Sequence, residues 1–117
     1  MRLFDSHAHY DDARFDGETE RILAEVHASG VEKITNIASS LATSRASVRF
    51  AETHDYIYAS VGVHPSDAVR DMQNADWLEQ LEGLYRSSEK VVAIGEIGLD
   101  YHYGKEDKEE QKLCFDA

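Results

Sequence analysis

Apolar positions along the chain follow two alternating patterns. Short apolar runs rich in β-branched residues have the length and composition of buried strands, and longer segments with apolar residues at three- and four-residue steps are typical of amphipathic helices. The predicted strands are a run that begins almost at Met1 and ends at His9, followed by 33–38, 56–63 and 91–97. The predicted helices are 19–29, 43–54 and 75–87.

This regular alternation of strand and helix predicts an α/β fold with a parallel sheet covered by helices. Residues 108–117 have the pattern of the start of a fourth helix. Because a complete (β/α)8 barrel needs roughly 250 residues, we expect residues 1–117 to form a single, incomplete domain that is truncated in the fourth helix. This domain would comprise the N-terminal four βα units of a (β/α)8 TIM barrel, which is a half-barrel.

The composition narrows the possible functions. The chain has 12 basic and 23 acidic residues and a net charge of −11, which disfavours binding of a nucleic-acid backbone through a basic surface. The one cysteine, Cys114, cannot form an internal disulfide and fits a reducing compartment. The acidic N-terminal segment excludes a secretory signal, and no apolar run approaches the roughly 18 residues of a membrane span. We therefore expect a soluble cytoplasmic protein without membrane association.

Two histidines, His7 and His9, end the first predicted strand. In an extended backbone, residues i and i+2 point to the same side, so the two imidazoles would converge. On a helix the same spacing would separate them by about 200°. Neutral imidazoles are suited to zinc and similar divalent metals. The alternative interpretation is a pair of surface or core histidines that make ordinary hydrogen bonds.

A glutamate follows the most apolar of the predicted strands. Ligands of parallel α/β folds gather at the carboxyl ends of the strands, where Glu96 would join the two histidines. Counting back by twos from Glu96 gives Ile94 and Val92, so we expect the carboxylate to share a strand face with residues of a barrel interior. A divalent cation would remove the cost of an unpaired carboxylate there. The alternative is an ion pair with a nearby lysine or arginine.

Three motifs at the ends of predicted strands one, three and four resemble the TatD-type metal-dependent deoxyribonucleases, a family of amidohydrolase-like TIM barrels. The motifs are Phe4-Asp5-Ser6-His7-Ala8-His9, Gly62-Val63-His64-Pro65 and Gly95-Glu96-Ile97-Gly98-Leu99-Asp100-Tyr101. The resemblance implies that His7, His9 and Glu96 are metal ligands, with Glu96 bridging two ions. The family's other ligands, two histidines and an aspartate, come from later strands that lie outside these 117 residues.

The same resemblance implies a function. We expect a metal-dependent hydrolase that cleaves DNA phosphodiester bonds, often from the 3′ end, with DNA as the substrate of the full-length enzyme. The cofactors would be one or two divalent metal ions, of zinc, magnesium or manganese. Such ions activate water for attack on phosphate esters and supply a positive field in an acidic chain. No residue of the chain is assigned as the catalytic base.

Three further residues are candidates for substrate binding or for support of the metal ligands. His64 would contact a substrate phosphate, or only cap the exit of the third strand. Asp5 would orient a ligand histidine, or cap a loop. Asp100 would contact metal-bound water or substrate, or bond its own backbone in a turn. His54, at the end of the second predicted helix, is expected to face solvent.

The alternative to an enzyme is a protein without catalytic activity. The chain could be a catalytically silent half-barrel fragment or a self-associating module, because four parallel strands leave two unpaired edges and uncovered apolar side chains. The isolated chain is then expected to self-associate or to need its missing C-terminal half, and a two-fold pairing is the simplest closed arrangement. Among enzymes, the alternative is a related metal-dependent phosphoesterase or amidohydrolase.

Overall fold

The computed structural model describes residues 1–102 and 107–117, which form one sheet flanked by helices. The strands are β1 (Leu3–Ala8), β2 (Val31–Asn36), β3 (Ile57–Val61) and β4 (Val91–Ile94). The helices are α1 (Thr19–Ala28), α2 (Leu41–Thr53), α3 (Ala68–Asp71), α4 (Trp77–Ser87) and α5 (Lys108–Asp116). In the described part of the chain, none of the helices combines the length and the apolar character that a membrane span requires.

The four strands are parallel and lie side by side in the order β1-β2-β3-β4. Asp5 lies opposite Ile34 in this register, Ile34 lies opposite Ile57, and Val61 lies opposite Ile94. Each crossover between neighbouring strands contains at least one helix. All four strands therefore end at the same edge of the sheet, and the predicted α/β fold of successive βα units is confirmed.

Two clusters of buried apolar residues lie between the sheet and the helices. The first joins α2 and α4 to β3 and β4, and comprises Leu41, Val48, Ala51, Ala59, Val61, Leu81 and Val91. The second joins α1 to the first three strands, and comprises Ala8, Leu23, Ile34 and Ile57. Because full burial of a leucine or isoleucine contributes about 1.5–3 kcal/mol, these clusters hold the helices on the sheet.

Helix α2 begins at Leu41, slightly before the residue 43 expected from its apolar pattern. Ser40 and Thr43 form a capping box, in which each side-chain oxygen accepts a hydrogen bond from the main-chain N–H of the other residue. The N–H of Leu41 donates to the buried carboxylate of Asp71 at 2.7 Å. Asp71 belongs to α3, a four-residue helix that the sequence pattern did not predict because one turn is too short to show a period.

Strand β4 is shorter than predicted. The expected strand 91–97 ends at Ile94, so Glu96 does not share a strand face with Ile94 and Val92. The main-chain N–H of Glu96 donates instead to the carbonyl of Ala38, at 2.7 Å, beyond the end of β2. The prediction was wrong because apolar composition continues past the residue at which the main chain leaves the ladder.

The histidine at the carboxyl end of α2 is covered, whereas the sequence analysis placed it in solvent. The side chain of His54 is 13% exposed, and its Nε2 lies 2.9 Å from a carboxylate oxygen of Glu20 on α1. Its ring also meets those of Phe50 and Tyr56 edge to face. The expectation is wrong because Glu20 and the ring of Tyr56, which lie outside α2, contact the side chain of His54, and helical periodicity does not report such tertiary contacts.

Candidate metal centre

The end of β1 presents two histidines on one side of the sheet. Ala8, which lies between them, is 8% exposed and belongs to the core beneath α1. The alternation of an extended chain therefore turns His7 and His9 to the opposite side. Their Nε2 atoms lie 3.2 Å apart, and the two rings meet edge to face. The structure brings the two imidazoles together as the sequence analysis expected.

The ring of His9 is oriented by a main-chain carbonyl. Its Nδ1 lies 2.9 Å from the carbonyl oxygen of Ile37, just beyond β2. A carbonyl oxygen only accepts hydrogen bonds, so Nδ1 carries the hydrogen and the neutral ring has its lone pair on Nε2. Metal-binding histidines commonly donate their other ring nitrogen to a carbonyl or carboxylate in this way. The contact with Ile37 therefore presents Nε2 of His9 as a ligand atom.

His7 lies between His9 and Glu96. Its Nε2 is 3.2 Å from Nε2 of His9 and 3.5 Å from Oε1 of Glu96. Both of these neighbours are acceptors, so Nε2 of His7 either donates its hydrogen to one of them or, as an acceptor itself, shares a cation with both. The side chains of His7 and Glu96 are 54% and 35% exposed, which leaves the cluster open to an ion from solvent.

The spacing and chemistry of this cluster fit a divalent cation. The candidate ligand atoms of His7, His9 and Glu96 all lie within 4.8 Å of one another. Ligands about 2.0–2.2 Å from a tetrahedral zinc ion are about 3.4 Å from each other, and the measured spacings are 3.2 and 3.5 Å. Two histidines and a glutamate also form a known catalytic zinc ligand set, with a further position for water or substrate.

Glu96 reaches the histidines through contacts of its main chain with the end of β2. The carbonyl of Ala38 accepts the N–H of Glu96, and the carbonyl of the preceding Ile37 contacts the ring of His9. Among the described residues, the ion-pair contact of Glu96 is with His7 and not with a lysine or arginine. Sequence reasoning missed Ile37 and Ala38, because a main-chain carbonyl has no signature in the sequence.

Asp5 supports the backbone beside the cluster. Its Oδ1 accepts a hydrogen bond from the main-chain N–H of His7 at 3.2 Å, so the contact is with the backbone of His7 and not with its ring. Burial raises the pKa of the nearby Tyr10 hydroxyl, and the negative charge of Asp5 adds to that rise. The carboxylate of Asp5 therefore lies next to the candidate ligands without being one of the three converging groups.

His64 caps a short 3-10 turn, Pro65–Asp67, that follows β3. Its Nδ1 accepts the main-chain N–H of Ser66 at 3.1 Å and lies 2.7 Å from the Ser66 hydroxyl. Nδ1 is therefore an acceptor, and the neutral ring carries its hydrogen on Nε2. The capping role that the sequence analysis held open for His64 is present, and it leaves an N–H donor at the other side of the ring.

Asp100 lies in a turn and bonds the local backbone, which is one of its two expected roles. Its Oδ1 accepts the main-chain N–H of His102 at 2.9 Å. The amide of Gln111, a 3% exposed residue of α5, holds the backbone of Asp100 from both sides: it accepts the N–H at 2.9 Å and donates to the carbonyl at 2.8 Å. Asp100 is not among the groups that converge with His7. Gln111 was missed because a single glutamine in a polar helix gives no signal.

The aspartates that follow His9 are engaged elsewhere. Asp11 accepts a hydrogen bond from the side-chain amide of Asn36 at 2.8 Å. Asp12 forms a two-pronged pair with the guanidinium of Arg14, which lowers the pKa of its carboxyl to about 2. These contacts explain why neither carboxylate joins the cluster, although both lie close to it in sequence.

The chain has a four-stranded parallel sheet with helical crossovers, and two histidines and a glutamate converge at the carboxyl edge of that sheet. This fold and this cluster define the chain as a partial α/β barrel with a candidate metal site. The chain matches the family described as TatD related DNase over residues 4–117 and belongs to that family. This confirms the resemblance found in the sequence motifs.

Comparisons with individual proteins also find relatives named as TatD proteins or as metal-dependent hydrolases. The chain is 40% identical over 115 residues to YabD of Bacillus subtilis, described as an uncharacterized metal-dependent hydrolase. It is 30% identical over 116 residues to TatD of Pectobacterium parmentieri, described as a 3′-5′ ssDNA/RNA exonuclease. The crystal structure of YjjV, a TatD homolog from Escherichia coli, superposes with a TM-score of 0.81 at 35% identity.

The matches cover almost the whole of this chain but less than half of each relative. They include 97% of the chain and 43% of YabD, 98% and 44% of the TatD exonuclease, and 98% and 44% of the YjjV structure. Together with the TM-score of 0.81 to the YjjV structure, this coverage confirms the predicted half-barrel as the architecture of the described residues.

Proposed function

We propose that this chain supplies the metal-binding edge of a metal-dependent hydrolase that acts on DNA phosphodiester bonds. The observation that carries the proposal is the convergence of the ligand atoms of His7, His9 and Glu96 within 4.8 Å. Membership of the TatD related DNase family and the descriptions of its relatives as a metal-dependent hydrolase and an exonuclease support the reaction class. DNA is the substrate proposed for the whole protein.

The three groups would hold one or two divalent ions. Imidazole favours zinc, whereas the carboxylate also suits manganese and magnesium, and a carboxylate has a second oxygen with which Glu96 could bridge two ions. A bound ion of this kind acidifies water and polarises a phosphoryl oxygen. The protein's own contribution is orientation: Ile37 sets the tautomer of His9, and Asp5 holds the backbone of His7.

His64 is proposed to contact the substrate. Because its Nδ1 accepts the N–H of Ser66, its Nε2 carries the hydrogen that a phosphate oxygen would accept. Asp100 has no equivalent donor, and its carboxylate already bonds the N–H of His102. We therefore assign Asp100 to support of the loop after β4 and His64 to the substrate side.

The activity is tested by supplying the remainder of the barrel. A fusion joins this chain to the part of the Pectobacterium TatD exonuclease that follows the matched segment, and is incubated with a single-stranded DNA oligonucleotide labelled at its 5′ end. We expect shortening from the 3′ end in the presence of zinc, magnesium or manganese, and loss of this activity with EDTA. The unfused chain should leave the oligonucleotide intact, because its three candidate ligands make only part of the family's set.

The matched fusion with Glu96→Gln is the control for this assay. It should fold with the same circular dichroism spectrum and lack activity, because it lacks the anionic ligand. Equal activity of the two fusions would contradict the proposed site. A folded but inactive parent fusion, beside an active intact exonuclease, would contradict the proposed hydrolase function of this chain.

A second candidate function, self-association, is favoured by the edge strands. Within the described residues, β1 pairs only with β2, and β4 pairs only with β3. These edge strands also expose large apolar side chains: Leu3 is 45% exposed, Phe4 58%, Val92 54% and Ile94 49%. Exposed apolar edges of this kind favour pairing with another chain, and a second copy would supply the same surface by two-fold symmetry.

Analytical ultracentrifugation tests this candidate. We expect the isolated chain to sediment as a dimer, and we expect Phe4→Ser combined with Val92→Ser to shift it toward monomer by removing apolar contact area. Val69→Ser combined with Leu113→Ser is the matched control, because these residues are 41% and 63% exposed but lie on the helices α3 and α5. A compact parent monomer at high concentration would exclude self-association.

A further inference from the structure

We infer that Ser60 and Gly62 are positioning residues that place the carboxylate of Glu96 against the two histidines. The inference rests on the proposed metal site and adds to it two residues of β3 and its exit that hold no metal themselves. Both act on the segment Gly95–Glu96, which leaves β4 and crosses β3 before it reaches the end of β2.

Gly62 provides the space for this crossing. A Cβ atom at position 62 would lie 2.6 Å from the carbonyl carbon of Gly95, 2.7 Å from its oxygen and 2.9 Å from the carbonyl oxygen of Glu96. All three atoms belong to the main chain, so they cannot move aside by changing a rotamer. Glycine within a strand pattern often marks such a close approach of another backbone. Any side chain at position 62 would therefore displace the segment that carries Glu96.

Ser60 fixes the same segment by hydrogen bonds. Its hydroxyl donates to the carbonyl of Gly95 at 2.7 Å and accepts the N–H of Ala38 at 3.1 Å. Ser60 is fully buried, so its hydroxyl cannot replace either bond with one to water, and loss of a partner would be costly. One hydroxyl thus joins the segment after β4 to the segment after β2.

Two main-chain carbonyls just after β2 contact two of the three candidate metal ligands. Ala38 accepts the N–H of Glu96 through its carbonyl, and Ile37 orients the ring of His9 through the preceding carbonyl. A shift of Gly95–Glu96 away from Ala38 would therefore separate the carboxylate from the histidines while leaving the sheet paired. This is the physical route by which Ser60 and Gly62 would affect metal binding.

The first test measures backbone order without metal. In hydrogen–deuterium exchange, we expect Gly62→Ala to speed exchange of the Glu96 amide by at least about tenfold, since the bond to Ala38 is lost. Amides in the middle of β2 should keep their protection. Gly83→Ala is the matched control, because a Cβ at position 83 of α4 meets no atom within 4 Å. Unchanged protection of the Glu96 amide in Gly62→Ala would overturn the inference.

The second test measures zinc affinity by calorimetry in a double-mutant cycle. We expect Gly62→Ala to weaken zinc binding by about 10–100-fold, as loss of a supporting contact does at other metal sites. In the Glu96→Gln background the same substitution should have no further effect, because its only route to the metal is the carboxylate. Equal losses in both backgrounds would show a general structural effect and would contradict the positioning role.

Ser60→Ala keeps the inference testable if Gly62→Ala does not fold. It should weaken zinc binding and expose the Glu96 amide in the same way, while Val48→Ala, which destabilises the core without touching the segment, should do neither.

The proposed metal site and the proposed positioning role are contradicted by different results. If Glu96→Gln leaves zinc affinity unchanged, the metal site is wrong; if Glu96→Gln weakens binding but Gly62→Ala and Ser60→Ala do not, only the positioning role is wrong.

Discussion

Replacing Glu96 with glutamine is expected to lower the zinc affinity of this chain by more than about 100-fold, since loss of a supporting partner alone costs 10–100-fold. Glutamine keeps the size of the side chain and one of its two acceptor oxygens, and it replaces the other oxygen with an NH2 donor. It removes the single negative charge among the three candidate ligands, and with it most of the attraction for a doubly charged ion. Isothermal titration calorimetry with zinc measures the change directly.

The control for this prediction is Glu89→Gln. Glu89 is an exposed glutamate just before β4, so the substitution changes the net charge by the same amount at a distance from the cluster. We expect Glu89→Gln to bind zinc as the parent chain does. Equal affinity of the parent chain and Glu96→Gln would show that the carboxylate is not a ligand, and would remove the main support for the proposed hydrolase site.

Replacing Asn36 with alanine is expected to lower the free energy of unfolding by about 3 kcal/mol, since buried polar groups left without partners cost 1–3 kcal/mol each. Asn36 is fully buried at the end of β2. Its side chain accepts the N–H of Tyr10 at 2.7 Å and donates to Asp11 at 2.8 Å and to Ser47 at 2.7 Å. Urea denaturation monitored by circular dichroism measures the change.

Ser47→Ala is the matched comparison for Asn36→Ala. It removes one bond of the same network and leaves the loop after His9 attached, so we expect a loss of about 1 kcal/mol. Asn36→Ala should also weaken zinc binding, because the loop 10–12 follows directly after His9. If both variants lose the same stability, the contacts with Tyr10 and Asp11 contribute nothing measurable and the loop is held by other groups.

The fold was predictable from the sequence because its elements leave periodic signals. Helix α1 was expected over 19–29 and is Thr19–Ala28, and α4 was expected over 75–87 and is Trp77–Ser87. In each case burial of one helix face places apolar residues at three- and four-residue steps, and this spacing is visible in the sequence. The observed order β1-β2-β3-β4 agrees with the predicted succession of βα units, since strands joined by a helix usually lie side by side.

The ends of elements were predicted less well, for a physical reason. The limit of β4 depends on where the main chain leaves the ladder, and the side chains of 95–97 do not report it. The start of α2 depends on the hydroxyl of Ser40 and on the carboxylate of Asp71, which comes from a different part of the chain. Hydrophobic periodicity measures burial and contains little information about such polar contacts.

The candidate ligands could also be named from the sequence. The spacing of His7 and His9 places both side chains on one side of a strand but on different sides of a helix. The apolar run before them indicated a strand. For Glu96 the conclusion was right about proximity but wrong about its basis, since a strand face does not carry the carboxylate to the histidines. The main-chain crossing over Gly62 brings it there.

The sequence by itself therefore determined the element order, the parallel α/β class and the types of side chain available for metal binding, because these follow from local periodicity and chemistry. Only the tertiary structure decided three other features. These are the tautomer of His9, the close approach of the Gly95–Glu96 main chain to Gly62, and the contacts of the Ile37 and Ala38 carbonyls with His9 and Glu96. These features depend on main-chain carbonyls and on the absence of a Cβ atom. These features arise only when segments distant in sequence pack together, so the sequence of a single segment does not predict them.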